Sequence, residues 1–165
     1  MEAGSPGLEF AGEACPQGED AAWLMRTLKA CAALLPQPVD RATVQFVRDP
    51  AMQALHTRWS NDPSTTDVLT FALNQPGQPV DCDVAICVDE AERRSAELGH
   101  PVRLELLLYA LHALLHACGY DDRTPADHAA MHAMEDRILT QVGVGAVFAP
   151  RGPAGGGAPT DGGAS

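Results

Sequence analysis

Two histidines with helical spacing, His112 and His116, stand near the end of an apolar stretch and are followed by Gly119, Asp121 and Asp122. On a helix, side chains four residues apart stack on one face about 6 Å apart along the axis, so both imidazoles can point at one ion. Gly119 permits the left-handed conformation that ends a helix, which lets Asp121 or Asp122 face back toward His116. Two imidazoles, one carboxylate and a water make a known catalytic zinc arrangement, so the spacing predicts a site for one Zn²⁺ ion.

The helix that positions these histidines is predicted over residues 102–118, and because it is apolar on nearly every side we expect it to be buried. Its polar side chains recur within one narrow arc: Glu105, Tyr109, His112 and His116. Such a stripe indicates either a lined cavity or an internal hydrogen-bond network. The alternative to a metal site is therefore a pair of hydrogen-bonded core histidines, and Glu105 would accept a hydrogen bond from a ligating imidazole, from Tyr109 or from the backbone.

A second histidine pair, His128 and His132, has the same spacing on a helix that begins at Thr124-Pro125. The predicted core stripe of that helix is made of Met131, Met134, Ile138 and Val142. His132 lies well off this stripe and His128 lies on its shoulder, which favours a solvent-facing position for the pair. His128 remains a reserve third ligand or proton carrier, and Glu135 a candidate for the far side of the cleft.

The residue that follows His112 helps to distinguish hydrolysis of a phosphodiester from hydrolysis of an amide. A bound zinc ion lowers the pKa of its water to about 7 and so supplies a hydroxide for attack on a phosphodiester or an amide. Zinc peptidases with the H-E-x-x-H motif place their general base directly after the first histidine. Ala113 occupies that position here, which argues against the usual peptidase mechanism.

The elements that must hold this site alternate between helices and strands up to Gly99 and are helical beyond it. Apolar periodicity and breakers predict helices at 20–35, 49–59, 89–98 and 124–142, and strands at 42–47, 66–73 and 80–88. Asp89, with Glu92 three residues later, is expected to cap the third helix. This order predicts an α+β fold, a small mixed β-sheet with helices packed on it.

The length of 165 residues, with 45% hydrophobic residues, fits one domain, which we place at 19–148. Residues 1–18 form a predicted disordered acidic tail, and residues 149–165 a predicted disordered Gly/Ala/Pro tail. No apolar run is long enough to span a membrane and no secretion signal is recognisable, so the predicted compartment is the cytoplasm. Five cysteines without a C-x-x-C pair are expected to be free thiols.

The net charge of −11 argues against a general nucleic-acid binder, because phosphate contacts need clustered Lys and Arg. Five of the negative charges, however, lie in the first twenty residues, where no basic residue offsets them: Glu2, Glu9, Glu13, Glu19 and Asp20. The objection is thereby weakened for the domain itself.

Three motifs in order resemble the YbeY family of metal-dependent endoribonucleases: Thr-Asp-Val-Leu-Thr-Phe at 66–71, Asp-Val-Ala-Ile at 83–86, and the stretch 112–122. The resemblance runs from about residue 41 to 140. It implies a zincin-like α+β domain and a metal ion held by His112, His116 and Asp122, whose bound water is the activated group. It also implies cleavage of single-stranded ribosomal RNA in rRNA maturation and ribosome quality control, with the ribosome or its small subunit as partner.

The chain departs from the family pattern at three positions. Asp122 stands where the third histidine is usual, and a carboxylate oxygen can also bind Zn²⁺. Ser60 stands in place of an arginine that would serve a phosphate or the developing charge, so Arg58 or Arg123 would have to replace it. Cys82 replaces a glycine.

The predicted catalytic side chains are Asp67, Arg58 and Asp121. Beside Thr66 at a strand end, Asp67 would orient a ligand or substrate, or else only close a turn. Two other functions remain open. One is a ribosome-associated metal-binding module without cleavage, and the other is an amide hydrolase with a general base other than residue 113.

Overall fold

A computed structural model describes residues 7–60, 67–121 and 123–145. These residues form four strands and five helices in the order β1 (Leu8–Ala11), α1 (Gly18–Ala32), β2 (Val39–Val47), α2 (Asp49–Ser60), β3 (Val68–Ala72), β4 (Val80–Cys87), α3 (Val88–Leu98), α4 (Val102–Ala117) and α5 (Pro125–Gln141). The chain divides into two units, Met1–Tyr120 and Asp121–Ser165. The described part of the first contains the whole sheet and four helices, and that of the second contains α5. The boundaries that we predicted for a single domain stay a prediction.

The sheet of the first unit is mixed, with strand order β1-β2-β4-β3. β1 pairs with β2 in parallel and β2 with β4 in parallel, while β3 runs antiparallel to β4 at the edge. A short β3–β4 connection makes that antiparallel pair possible, whereas the parallel pairs need helical crossovers. The α+β prediction with a small mixed sheet is confirmed.

The central strand β4 is buried on both faces. The alternating residues Cys82, Val84 and Ile86 are at most 1% exposed, as the sequence pattern predicts, but Ala85 and Cys87 on the opposite face are buried as well. The second face is covered because Met52 of α2 packs on Ala85 and Cys87. α4 packs against β3 and β4 and also against α1 and α3, which makes it the central helix of the unit.

The prediction that residues 1–18 are disordered is wrong for residues 8–11, which form β1. Phe10 meets Phe46 of β2 edge to face, with ring centroids 5.2 Å apart. Gly12, at φ +106°, lies so close to β2 that an added Cβ would be 2.5 Å from the Phe46 carbonyl oxygen. A four-residue strand that gains its order from a distant partner leaves little local signal. The predicted tail at 149–165 lies outside the described residues.

The start of α3 also differs from the sequence interpretation, because Asp89 does not cap its own helix. The carboxylate of Asp89 instead accepts hydrogen bonds from the Asp49 backbone N–H at 2.8 Å and from Arg48 at 2.9 Å. Asp49 is in turn paired with Arg93, whose guanidinium, followed by the Cys87 thiol, lowers the pKa of Asp49 to about 2. Asp89 therefore links the start of α3 to the start of α2.

In the second unit, α5 begins as the sequence predicts. The Thr124 hydroxyl accepts a hydrogen bond from the Asp127 backbone N–H at 3.0 Å, and Pro125 occupies the first turn. The buried residues of α5 are Met131, Glu135, Ile138 and Leu139, so Glu135 occupies the place on the stripe that we predicted for Met134. Within the described ranges, no helix combines the length and apolar character that crossing a membrane requires.

Candidate metal and active site

The two histidines of α4 converge on one point, as their spacing predicts. Their Nε2 atoms are 3.1 Å apart, and their rings meet edge to face with centroids separated by 4.6 Å. Both side chains are half-buried, while the neighbouring Leu111, Ala113, Leu114 and Leu115 are completely buried. These buried neighbours fix how α4 is turned about its own axis. The side of the helix that carries the two histidines therefore points in one defined direction.

The end of α4 determines the tautomer of His116. Gly119 adopts φ +106°, its N–H donates to the His116 carbonyl, and the Tyr120 N–H donates to the Leu115 carbonyl. This is the Schellman arrangement that ends a helix at a glycine. The turn brings the Tyr120 carbonyl oxygen to 3.1 Å from His116 Nδ1. Because a carbonyl can only accept, Nδ1 carries the proton and the Nε2 lone pair of His116 faces His112.

The geometry of the pair fits a transition-metal ion. Two imidazole nitrogens bound at 2.0–2.1 Å are about 3.4 Å apart in a tetrahedral site and about 2.9 Å apart at right angles. The observed 3.1 Å lies between these values. A hydrogen-bonded oxygen on the outer nitrogen is also the usual environment of a ligating histidine, and the Tyr120 carbonyl provides it for His116. The pair can therefore act as two of the ligands without a change of rotamer.

A contact that the sequence did not reveal joins the β3–β4 connection to the end of α4. The side-chain amide of Asn74 donates to the Ala117 carbonyl at 2.9 Å, and its oxygen accepts from the Asp81 backbone N–H at 3.0 Å. Pro76 lies 3.6 Å from the position that a Cβ on Gly119 would take. Asn74 thus positions the histidine end of α4 against the sheet. Its place in a breaker-rich turn gives no indication of this role.

The remaining polar stripe of α4 differs from the prediction for Glu105. Its carboxylate lies 2.5 Å from Nε2 of His100, at the start of the helix, and not beside a metal-site histidine. Tyr109 is buried near Glu105 without meeting the geometry of a hydrogen bond. Burial first, and then the negative charge of Glu105, raises the pKa of the Tyr109 hydroxyl. The stripe is therefore divided into an internal polar group near the start of α4 and the histidine pair at its end.

Asp67 lies at the entrance of β3, where its carbonyl accepts a hydrogen bond from the Cys87 N–H at 2.9 Å. This bond closes the β3–β4 pairing, as the turn-closing alternative expects, while the exposed carboxylate remains on the surface. That carboxylate is also among the charges that raise the pKa of Tyr109, one turn before His112. Asp67 is therefore within electrostatic range of the α4 stripe.

The structure describes some of the other predicted site residues and leaves others undescribed. Arg58 is exposed on the last turn of α2. Asp121 belongs to the second unit, where it pairs with Arg123 at 2.9 Å. Asp122 and Thr66, and the side chain of Ser60, are not described, and Cys82 is buried in β4. Within 7–60, 67–121 and 123–145, no three His, Cys, Asp or Glu side chains form a group that could hold a metal.

The fold and site of the first unit define an α+β domain with a convergent histidine pair beside a mixed sheet, and comparisons with known proteins agree with this class. The solution structure of a protein from Thermotoga maritima superposes with a TM-score of 0.58 and covers 81% of this chain and 90% of its own, at 20% sequence identity. At that identity the likeness supports the fold alone.

Sequence relatives identify the family. The family described as Endoribonuclease YbeY matches residues 14–143. A relative named Endoribonuclease YbeY from Anaeromyxobacter sp. (strain Fw109-5) is 36% identical over 143 residues, which are 84% of this chain and 74% of the relative. Another of that name from Synechococcus sp. (strain RCC307) is 36% identical over 138 residues, covering 75% of this chain and 86% of the relative. The chain therefore belongs to the YbeY family of endoribonucleases, which are hydrolases acting on RNA, and the predicted resemblance is confirmed.

Proposed function

We propose that this chain is a zinc-dependent endoribonuclease that cleaves single-stranded ribosomal RNA during rRNA maturation and ribosome quality control. The observation that carries the proposal is the convergence of His112 and His116 at 3.1 Å in a chain of an endoribonuclease family. Hydrogen-bonded core histidines would have the same separation. A core pair would also use the Nε2 lone pair that the Tyr120 carbonyl holds toward His112, so it is membership of an endoribonuclease family that favours the metal site.

The proposed ligands are His112, His116 and Asp122. When bound, a zinc ion supplies the Lewis acidity that makes water reactive near neutral pH. The chain's own contribution is to hold the two imidazoles in place through the packing of α4 and the Tyr120 carbonyl. Asp122 stands two residues after Tyr120 in the sequence, and carboxylates are established third ligands beside two histidines.

Three further side chains are proposed for the RNA. Asp67 orients the substrate or a water from the entrance of β3, because its carboxylate is exposed and within electrostatic range of the α4 stripe. Arg58 binds a phosphate or the charge that develops during cleavage, since it is an exposed guanidinium two residues before Ser60. The third side chain proposed for the RNA is Asp121, which is next to the proposed ligand Asp122 in the sequence.

The proposed compartment is the cytoplasm, with the ribosome or its small subunit as partner. The cysteines Cys15, Cys31, Cys82, Cys87 and Cys118 are free thiols, which a reducing compartment maintains. Burial raises the pKa of Cys31 to about 12, and it raises the pKa of Cys82 to the same value, so both thiols are protonated and unreactive at neutral pH.

The test is cleavage of a single-stranded ribosomal RNA fragment by the zinc-loaded chain, beside His116→Ala and His56→Ala. We expect His116→Ala to lose cleavage by a factor of at least about 10², since losing only the outer partner of a metal ligand already costs about 10–100-fold. His56→Ala removes an imidazole of α2 that is not among the proposed site residues and is expected to cleave like the wild type. Equal cleavage by all three chains would reveal a contaminating nuclease and overturn the proposal.

Metal content separates the enzyme from the non-cleaving module. Asp122→Ala is expected to lose zinc, whereas Asp122→His restores the third imidazole of the family pattern and is expected to keep or tighten binding. Full retention of zinc by Asp122→Ala would remove Asp122 from the site. Stoichiometric zinc without RNA cleavage in the wild type would favour the ribosome-associated binding module, a possibility that the net charge of −11 also supports.

A further inference from the structure

The second histidine pair, on α5, repeats the geometry of the first within its own unit. Nε2 of His128 lies 2.9 Å from Nε2 of His132, and the rings meet edge to face with centroids 4.2 Å apart. His128 is exposed and His132 is half-buried, so the pair lies at the surface of its helix. The sequence interpretation treated these side chains as a solvated face, which does not require them to converge.

The outer nitrogen of His132 faces a carboxylate. Nδ1 of His132 is 2.8 Å from Oε1 of Glu135, one turn further along α5, although the angle between them departs from that of a well-aligned hydrogen bond. Glu135 is completely buried, and among the carboxylates that the structure describes only Glu105 is buried as well. A buried carboxylate beside Nδ1 favours the proton on that atom, which leaves the Nε2 lone pair of His132 directed at His128. This carboxylate–histidine arrangement is the one that orients ligating histidines in metal sites.

We propose that His128 and His132 form a second divalent transition-metal site, with Glu135 as the residue that positions His132. Two imidazole nitrogens and solvent waters would complete the coordination. Binding requires only that the proton on Nε2 of His128 moves to Nδ1, because His132 already presents its lone pair. No proton has to leave the pair.

The separation of the nitrogens indicates which ions fit. Ligands at right angles on an ion with bonds of 2.0–2.1 Å are about 2.9 Å apart, which is the separation in α5. Right-angled positions occur in the square and octahedral sites of Ni²⁺ and Cu²⁺, and these ions prefer imidazole. Mg²⁺ and Ca²⁺ prefer oxygen ligands and are not expected to bind. The proposed ligand class is therefore an imidazole-preferring ion, with Ni²⁺ as the probe.

The experiment follows backbone amide signals of α5 by NMR while Ni²⁺ is added to the full-length chain. Paramagnetic broadening is local, and the same titration of a His112→Ala variant shows how much of the broadening in α5 comes from an ion at the α4 pair. We expect the amides around Ala129 and Ala130 to broaden in the wild type at Ni²⁺ concentrations comparable to that of the protein. Mg²⁺ at the same concentrations is expected to leave them unchanged.

The matched control keeps the number of histidines and changes only their spacing. The double variant His128→Ala/Ala130→His places the two imidazoles two residues apart, where helical side chains do not face each other. Since both positions are exposed, the fold is expected to persist, and circular dichroism checks it. Broadening in α5 should then need at least about tenfold more Ni²⁺, because the two imidazoles can no longer bind the same ion. Broadening of α5 at the same Ni²⁺ concentration in wild type and control would overturn the proposal, as would its absence in the wild type.

The role of Glu135 has its own test. Glu135→Gln keeps the shape and removes the charge beside Nδ1, and loss of such an outer partner commonly weakens metal binding by about 10–100-fold. We therefore expect broadening in α5 to shift to higher Ni²⁺ by about that factor while the amides of α4 keep their wild-type positions. Unchanged affinity in a folded Glu135→Gln variant would show that Glu135 does not position His132.

Discussion

The two histidine pairs of the chain have the same spacing but different surroundings. In α4, His112 and His116 stand on a helix whose other faces are buried, and a backbone carbonyl orients the second imidazole. In α5, His128 and His132 lie at the solvent-facing side of their helix, and a buried glutamate side chain lies beside the second imidazole. The position of a backbone carbonyl is set by the fold around it, whereas a side-chain carboxylate can be removed by a single substitution. The first pair should therefore be sensitive to changes in packing and turn geometry, and the second to local substitutions.

The largest expected effect tests the packing that holds the α4 pair. Leu111, adjacent to His112, is completely buried, so Leu111→Ala should lower the free energy of unfolding by about 2–5 kcal/mol through lost burial and a cavity. The matched substitution in α5 is Ala129→Ser, beside His128. Because Ala129 is exposed, this substitution should change the free energy of unfolding by less than about 0.5 kcal/mol. Urea denaturation measures both. Similar losses in the two variants would contradict the contrast between the helices.

A smaller effect tests the turn that orients His116. Gly119→Ala forces a side chain into the left-handed region, which costs about 1–2 kcal/mol of stability. Pro76 would lie at an ordinary contact distance of 3.6 Å, so the cost comes from the backbone and not from a clash. Gly119→Asn should lose less, because asparagine adopts this conformation more readily. Thermal unfolding compares the variants, and full stability of Gly119→Ala would show that the turn does not depend on glycine.

The cap at the start of α5 supports the helix that carries the exposed pair, and its loss should cost as much stability as Gly119→Ala or less. Thr124→Ala removes the hydroxyl that accepts from the Asp127 N–H and should cost about 1 kcal/mol, with increased amide exchange in the first turns of α5. Thr124→Ser retains an acceptor and should restore most of the protection. Hydrogen exchange equally slow in Thr124→Ala and wild type would show that the cap does not support α5.

The smallest expected effect concerns the polar group of α4 away from its histidines. Tyr109→Phe deletes a buried hydroxyl that lacks a well-formed hydrogen bond, so stability should stay the same or rise by up to about 1 kcal/mol. Tyr109→Leu controls for the aromatic ring and should be less stable than Tyr109→Phe. A clear loss in Tyr109→Phe, measured by urea denaturation, would mean that the hydroxyl and Glu105 form a stabilising bond.

Local patterns account for the parts of the molecule that the sequence predicts well. The helix of the first pair, the glycine after it and the Thr124 cap depend on residues within a few positions of each other. The missed features are long-range contacts. β1 gains its order from β2, Asp89 bonds to the start of α2, and Asn74 holds the end of α4.

Burial explains the two misinterpreted glutamates. Glu105 pairs with His100 across the start of its helix, and Glu135 occupies a core position that an apolar pattern assigns to Met134. A charged residue at a core position departs from the apolar periodicity on which the sequence interpretation rests. Its partner becomes known only when the backbone is placed.

The most direct test of the central claim, that the α4 pair binds the metal ion, is X-ray absorption at the zinc edge. The spectrum is recorded with one equivalent of zinc in the His128→Ala/Ala130→His background, in which only the α4 pair keeps its convergent geometry. We predict scattering from two imidazoles with Zn–N distances of about 2.0–2.1 Å, and loss of that signal together with the bound zinc on adding His112→Ala. Bound zinc with the same spectrum after His112→Ala would contradict the account.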